Sequence, residues 1–334
     1  MSMESDILFG REIDQLFNDA LHQSFPGIHL DGNSQAGPQF STRLYNENRH
    51  FENTEYFYKG ELNFIHFTSI DKLWSILNSR TFRLYNLNSS DDPDEYGYAA
   101  RILGWPDTRI EIGKKYTYTI SFCQAAELKN ELLWNKYGQQ GAGAAILFSI
   151  DGDPRDWENF NMAEMQYDTP ASFVKYREMA AVVEQTKGVQ LWCDLSQFIG
   201  FHKVPSFEGE REVRLLTYFP YRHEEEYWKY AKTEFRIDRA TGRNRVTQYI
   251  ELPLWVDNDS SYVKCADHPE LDRTLNLPKD YFATRPKIRI RNIVFGPQIG
   301  ISPYEFGEYR REIVEAIRNN FGYEVDIEQN LVPL

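Results

Sequence analysis

Residues 62–77, LNFIHFTSIDKLWSIL, mark the point where one type of secondary structure is followed by another. Apolar Leu62, Phe64 and Phe67 indicate a short strand. A helix is predicted next, because apolar residues recur at i, i+3, i+4 and i+7, namely Ile70, Leu73, Trp74 and Leu77. Thr68, followed three residues later by Asp71, predicts the N-terminal cap of that helix. The stretch therefore predicts a strand that leads directly into an amphipathic helix, with His66 at the junction.

Other segments follow similar patterns. Strands are predicted at TFRLYNL (81–87), YTYTISFC (116–123), AAILFSID (144–151), EREVRLLTY (210–218), KIRIRNIVFGP (287–297) and YEVDIEQ (323–329). Helices are predicted near the N-terminus, at ELKNELLWNKYG (127–138) with Gly138 as its C-cap, and after Ser302, where Pro303 and Glu305 complete a capping box. A hairpin that turns near Thr241 and Gly242 is predicted within residues 233–254. Strands outnumber helices and do not alternate regularly with them, which favours an α+β fold.

The chain of 334 residues is long enough for a large core. The Gly-, Pro- and Asn-rich stretch from Phe25 to about Tyr56 predicts a long loop or arm. We therefore expect an N-terminal helix and polar arm over residues 1–58, and a single α+β domain over residues 59–334. That domain carries a hairpin insertion at about 219–283.

The net charge of −13 argues against coating nucleic acid or anionic membrane through bulk electrostatics. Two local basic clusters stand out, Lys287, Arg289 and Arg291 on one predicted strand and Arg239, Arg243 and Arg245 in the hairpin. Their charge pattern favours a solvated strand face and a charged hairpin tip, with a local basic site as the alternative. Three widely spaced cysteines, an acidic N-terminus and the lack of a long apolar segment indicate a cytoplasmic protein without a membrane partner.

Two familiar motifs are ruled out by their context. The glycines of YGQQGAGAAILF lie after a predicted helix and before a predicted strand, the reverse of a dinucleotide fingerprint. Cys265 and His268 have ligand-like spacing, but a structural zinc needs four ligands and no second pair accompanies them. We therefore expect no metal.

Two features could carry chemistry. His66, Thr68 and Ser69 lie where a strand ends and a helix begins, and a helix N-terminus can bind a ribose or phosphate; alternatively, His66 is a core histidine. In EGEREVRLL (208–216), strand alternation puts Glu210, Glu212 and Arg214 on one face, with the carboxylates about 7 Å apart. Such a pair could stabilise a developing cation and deprotonate a nucleophile. The alternative is a solvated ion pair.

The succession IHFTSIDKLWSIL, NSSDDPDEYG, YTISFCQ, LLWNKYGQQGAGAAILF, EGEREVRLL and IRNIVFGPQI, which runs in order from about Leu62 to Gln298, resembles an uncharacterised bacterial domain family. Its members show an H-Y-T-S start, an N-D-P-F-E loop, a C-F-S strand, an M-W-x-x-Y helix, an E-x-E-x-R strand and a late I-x-x-G-P. That family is similar in turn to a remote branch of the ADP-ribosyltransferase superfold. The resemblance implies a mixed, mainly antiparallel split sheet with flanking helices.

It also implies roles for particular residues around NAD, the expected substrate. His66, Thr68 and Ser69 would hold the nicotinamide end or a ribose, Ser121 would lie on the middle strand of the pocket, and Tyr85 or Tyr137 would supply an aromatic wall. Glu212 would form a hydrogen bond with the nicotinamide-ribose hydroxyl and stabilise the oxocarbenium-like transition state. Glu210 would orient or deprotonate the acceptor. The loop and strand depart from the family at Asp92, Glu95 and Ser121, so the roles of those three residues stay open.

The function expected from this resemblance is an NAD-dependent ADP-ribosyltransferase that modifies RNA, DNA or protein, as a toxin-like or phage-defence effector. An antitoxin-like inhibitor would be a natural partner. The alternative is a non-catalytic binding module on the same scaffold.

Overall fold

A computed structural model describes residues 3–44, 48–90, 92, 94–219, 231–237, 244–257 and 283–329. The helices are α1 Met3–Ser24, α2 Ile70–Ser79, α3 Gly97–Ile102, α4 Asp107–Tyr116, α5 Glu131–Lys136, α6 Ala171–Lys187, α7 Ser196–Ile199 and α8 Pro303–Phe321. The strands are β1 Leu30–Ala36, β2 Gln39–Leu44, β3 Asn63–Thr68, β4 Thr81–Asn86, β5 Thr117–Gln124, β6 Ala144–Asp151, β7 Phe160–Glu164, β8 Gln190–Cys193, β9 Glu212–Tyr218, β10 Lys232–Ile237, β11 Asn244–Pro253, β12 Lys287–Phe295 and β13 Asp326–Gln329.

Within the described residues, ten strands form the main sheet. Its order is β10-β11-β4-β5-β3-β6-β12-β13, and β9 joins β5 to β7. The pairs are antiparallel except for β12 with β13. A smaller sheet has the order β1-β2-β8, with β2 and β8 parallel. The predicted α+β class is confirmed, with mixed sheets and flanking helices.

The main sheet divides at β5. Strand β9 pairs with β5 from Thr117 to Cys123 along one edge. The opposite edge is shared, because β4 pairs with β5 only at Tyr118 and Thr119 and β3 pairs with it only at Cys123 and Gln124. Between these two short contacts, β3 and β4 separate. This gap in the hydrogen-bonded sheet, here called the split, is where the candidate site lies.

The predicted loop at 25–56 is wrong. This stretch contributes β1 and β2, which pair from Ala36 with Gln39 back to Leu30 with Leu44. Phe25, Phe40 and Phe51 are buried in the same hydrophobic core as residues of the main sheet. Turn-forming residues had obscured the strands, because β1 is exposed on most positions and shows no apolar alternation.

Helix α2 forms as predicted, but its cap differs by one residue. Ser69 is the N-cap and accepts a hydrogen bond from the Lys72 backbone N–H at 3.4 Å, while Thr68 is the last residue of β3. Leu73 and Leu77 are buried. Asn320 of α8 donates to the Leu77 carbonyl at 3.0 Å, which fixes the end of α2 against the C-terminal helix.

Two further predicted features differ or fall outside the described residues. The C-cap of α5 is Tyr137 and not Gly138, whose φ of −88° is negative. A Cβ at Gly138 would lie 2.5 Å from the Trp134 ring, so this glycine serves close packing. The predicted hairpin is present as β10 and β11, but its turn at Thr241 and Gly242 lies outside the described residues. The capping box at Ser302 and Glu305 is confirmed.

Candidate active site

The split contains a cavity of about 410 Å³, a volume typical of small-molecule sites. Its walls come from β3, α2, β4 and β5, and its floor includes the start of β9. Seven of the eight site residues predicted from the sequence line it: His66, Thr68, Tyr85, Ser121, Tyr137, Glu210 and Glu212. Ser69 does not line the cavity, because its side chain caps α2. These residues are distant in sequence and are brought together by the arrangement of strands around β5.

His66 on β3 lines the cavity next to β5. Its Nδ1 lies 3.4 Å from the Ser121 carbonyl oxygen, and its ring packs edge-on against Phe82 and Phe122. Burial lowers the pKa of His66 to about 4, so the imidazole is neutral at physiological pH. A carbonyl oxygen only accepts hydrogen bonds, so Nδ1 carries the proton and Nε2 is the acceptor. His66 Nε2 is therefore suited to accept a hydrogen bond from a hydroxyl group.

Thr68 lies two residues further along β3 and also lines the cavity. It is only 3 % exposed, and its hydroxyl has no hydrogen-bond partner among the residues that the structure describes. Buried hydroxyls are nearly always bonded in native proteins, so an orphaned one beside a cavity indicates a group supplied by water or a ligand. A Cβ at Gly143 would lie 2.3 Å from the Thr68 carbonyl oxygen. The loop at residues 138–143, here called the glycine loop, thus holds the end of β3 by close backbone contact.

Glu212 begins β9 and is almost fully buried. Its Oε1 accepts hydrogen bonds from the Ser121 hydroxyl and from Arg214 Nε and Nη2, the latter two at 3.1 and 2.8 Å. Its Oε2 accepts from Lys203 Nζ at 2.5 Å. Burial alone would raise the pKa of Glu212, but the charges of Arg214 and Lys203 overcome it and lower the pKa to about 2. This carboxylate is therefore an anion at any physiological pH.

Glu210 does not lie on the strand. It ends a 3-10 helix, and Arg211 with a φ of 44° separates it from β9, so the predicted alternation of Glu210, Glu212 and Arg214 on one strand face is wrong. The two carboxylates nevertheless converge. Glu210 Oε2 accepts from Lys203 Nζ at 2.9 Å, and Oε1 accepts from the Tyr137 hydroxyl at 2.7 Å and from Lys136.

Four charged residues in or near this cluster were not predicted as site residues, or were left without a role. Arg214 is buried and bridges Glu212 and Glu95. Glu95 also accepts from the Ser90 hydroxyl, which gives this loop residue a place behind the site. Lys203 contacts both Glu210 and Glu212. Asp92 forms a local turn, in which its Oδ1 accepts from the Asp94 backbone N–H at 2.9 Å.

Both candidate aromatic residues line the cavity. Tyr85 packs against Tyr249, with ring centroids 5.7 Å apart. Tyr137 is 40 % exposed, and burial followed by the charge of Glu210 raises the pKa of its hydroxyl, so it stays protonated. Arg83 also lines the cavity and forms an ion pair with Glu234 at 2.5 Å. Tyr85 and the Arg83–Glu234 ion pair thus line one part of the cavity, while Tyr137 lies beside the Glu210 carboxylate.

The basic strand β12 is largely neutralised. Arg289 makes two hydrogen bonds to Asp257 at 2.9 and 2.7 Å, and Arg291 forms an ion pair with Asp151 at 3.4 Å. Lys287 lies over the Trp255 ring at 3.6 Å. Of the hairpin cluster, Arg239 and Arg243 lie outside the described residues. The paired arginines of β12 therefore do not form a free basic stripe for nucleic acid.

Among the residues that the structure describes, no group of three or more histidine, cysteine, aspartate or glutamate side chains is placed to hold a metal ion. No helix in the same part of the chain is both long and apolar enough to cross a bilayer.

Comparison of the chain with protein-family models, with curated proteins and with solved structures finds no match.

Proposed function

We propose that the protein is an NAD-dependent ADP-ribosyltransferase that modifies a macromolecule, as a toxin-like or phage-defence effector. The observation that carries the proposal is the convergence of His66 and Thr68 with Glu212 on one cavity in a split sheet. A neutral imidazole acceptor, an unpartnered hydroxyl and a permanently ionised carboxylate are the groups that a ribose with developing positive charge requires.

In this proposal, His66 and Thr68 hold the nicotinamide end of NAD or its ribose. Tyr85 or Tyr137 packs against a ring of the substrate, since both line the cavity. The bond between ribose C1′ and the nicotinamide nitrogen breaks, and its electron pair leaves with nicotinamide. Glu212 accepts a hydrogen bond from a ribose hydroxyl and stabilises the positive charge on the sugar. Positioning and electrostatics supply the catalysis, because nicotinamide is a good leaving group.

The acceptor then attacks C1′ and forms the new glycosidic bond. Its proton must be removed as the bond forms, and Glu210 is the second carboxylate at the cavity. Tyr137, Lys136 and Lys203 all contact Glu210, so these residues set how it meets the acceptor. Protein, RNA and DNA are all candidate acceptors. Arg289 and Arg291 are paired with aspartates, so they give no reason to prefer a nucleic-acid acceptor to a protein acceptor.

A specific observation favours the second candidate function, a non-catalytic binding module. Both oxygens of Glu212 already accept hydrogen bonds from Ser121, Arg214 and Lys203, as in a purely structural buried network. Such a protein would bind a partner without consuming NAD, and an antitoxin-like inhibitor would then be only one of several possible partners.

One experiment separates the two. NAD is added to the wild-type protein while the thermal unfolding midpoint and free nicotinamide are both measured. An NAD site should stabilise the fold by about 2.7 kcal/mol at a hundredfold excess over Kd. His66→Ala should remove this stabilisation, whereas the exposed Gln15→Ala should retain it. Stabilisation with nicotinamide release supports the transferase, and stabilisation without release would identify an NAD-binding protein that does not cleave NAD. No stabilisation and no release would overturn the transferase proposal and support the binding module.

A further inference from the structure

Lys203 is a buried cation surrounded by three carboxylates. Its Nζ lies 2.5 Å from Glu212 Oε2, 2.9 Å from Glu210 Oε2 and 4.0 Å from Glu95 Oε1. The Lys203 side chain is 8 % exposed, and the carboxylate side chains are no more exposed than that. Buried lysines are uncommon unless paired, and a single ammonium shared by two glutamates at one cavity is more specific than a surface ion pair.

The backbone around Lys203 is fixed independently of its charge. The Lys203 N–H donates to the Gln166 carbonyl at 3.0 Å. The preceding residue, His202, lies 3.1 Å through its Nε2 from the Tyr56 hydroxyl and packs against Phe173 with ring centroids 4.9 Å apart. The ammonium is therefore delivered to the carboxylates from an anchored segment.

Glu210 and Glu212 each place one carboxylate oxygen on Lys203 Nζ. Without Lys203 they would be two buried like charges close to each other. One of two such carboxylates would then take up a proton, as in any close acidic pair. The charged and titratable groups that face this cluster come from several elements: Glu95, Cys123, Lys136, Tyr137, Tyr167, Glu210, Glu212 and Arg214. Arg214 forms ion pairs with Glu212 and Glu95, and Lys136 forms one with Glu210. Neither residue therefore bridges Glu210 and Glu212.

We propose that Lys203 is a positioning residue that holds the Glu210 and Glu212 carboxylates together, aligned and ionised at the floor of the cavity. This inference rests on the proposed transferase function, because the alignment matters for Glu212 facing the sugar and Glu210 facing the acceptor. Lys203 itself does not line the cavity, so it acts through the two glutamates and not on the substrate.

The test compares wild type with Lys203→Met, Lys203→Arg and a matched control, Lys187→Met, which removes a lysine paired with exposed Glu12. Nicotinamide release is measured from pH 5 to pH 9, together with the unfolding midpoint at each pH. Lys203→Met should lower kcat at least tenfold with a smaller change in KM, and should move the acid limb of the profile upward by about one pH unit or more. Lys203→Arg should retain most of the wild-type pH profile, and Lys187→Met all of it.

The unfolding midpoints make the inference testable even if no NAD is consumed. The difference in unfolding midpoint between wild type and Lys203→Met should be largest near neutral pH and should shrink toward pH 5. Protonation of one carboxylate removes the repulsion between Glu210 and Glu212 that the variant no longer compensates. A constant difference across pH, or a pH–rate profile that is merely scaled down, would show that Lys203 only fills space and would overturn the inference. If wild type releases no nicotinamide, the proposed function fails, but the unfolding midpoints still decide whether Lys203 holds the two carboxylates together. If Lys203→Met does not fold, Lys203→Gln replaces it in both measurements.

Discussion

The Ser121 hydroxyl donates a hydrogen bond to the Glu212 carboxylate across the β5–β9 pair. The bond is diagonal, since Ser121 is directly opposite Arg214 in the strand register and Glu212 is opposite Cys123. The carbonyl of the same serine faces His66 Nδ1 at 3.4 Å. Ser121 thus connects the two halves of the candidate site, with its side chain on the carboxylate and its backbone on the imidazole.

Ser121→Ala should loosen Glu212 without removing its charge, because Arg214 and Lys203 stay bonded to it. We expect a loss of about 1 kcal/mol in unfolding free energy, the net worth of an ordinary hydrogen bond, and a tenfold or smaller fall in nicotinamide release. Urea unfolding and NAD turnover check both. Ser34→Ala, at an exposed serine of β1, is the control. Unchanged stability would mean that the hydroxyl does not bond Glu212.

The acid stability of the fold should depend on Glu212. Its pKa is lowered to about 2, so its stabilising contribution is complete above pH 4.5 and is lost as the pH falls toward 2. The shift corresponds to about 3 kcal/mol. Urea midpoints between pH 5 and pH 2 should fall less steeply in Glu212→Gln than in wild type. Equal slopes in the two proteins would show that the Glu212 carboxyl titrates normally.

His66 should stay neutral in the folded protein until the pH approaches 4, because burial lowers its pKa. The linked stability is present above pH 6.5, the ordinary value for imidazole, and is lost as the pH falls through 4. Proton NMR can follow the His66 ring resonance, assigned by comparison with His66→Ala. A titration midpoint near 6.5 would contradict the buried, neutral imidazole on which the proposed ribose contact depends.

Gly143→Ala should be strongly destabilising. The added Cβ would lie 2.3 Å from the Thr68 carbonyl oxygen and 2.9 Å from that of Gly138, and both are backbone atoms. We expect a loss of about 2 kcal/mol or more, together with weaker NAD binding as β3 shifts. Gly307→Ala is the matched control, because Gly307 lies in α8 with open space around its Cβ position and should be stabilised by up to about 1 kcal/mol. Similar effects of the two substitutions would remove the packing role of the glycine loop.

Periodic segments were predictable from the sequence, and the rest was not. Helix α2 and strands β3 and β5 were predictable from their apolar residues, which are buried in the folded protein. Strand β1 has little buried surface and a mostly polar sequence with one glycine, so nothing in its pattern distinguished it from a loop. The split depends on which strands share an edge of β5, and pairing between distant strands leaves no local signal.

The site residues divide in the same way. The motif order brought His66 and Glu212 to attention, but Lys203 lies in a segment without periodicity, and only its three-dimensional contacts reveal it. The position of Glu210 was misjudged because Arg211 adopts a left-handed backbone conformation, which is uncommon for a residue other than glycine. A lysine seven residues before an E-x-E pair could have been noted as a candidate counter-charge.

In the proposed function, Glu212 drives transfer of ADP-ribose from NAD. Adenine-labelled NAD is incubated with wild-type protein or Glu212→Gln in the presence of separate protein, RNA and DNA pools, and label in each pool is counted. Folding of the variant is checked by its unfolding curve, and Glu164→Gln, at an exposed glutamate of β7, is the matched control. We expect wild type and the control to label one pool and Glu212→Gln to label it at least about 100-fold more slowly. Equal labelling by a folded Glu212→Gln variant would show that Glu212 does not drive the transfer, and no labelling by wild type would show that the protein is not an ADP-ribosyltransferase.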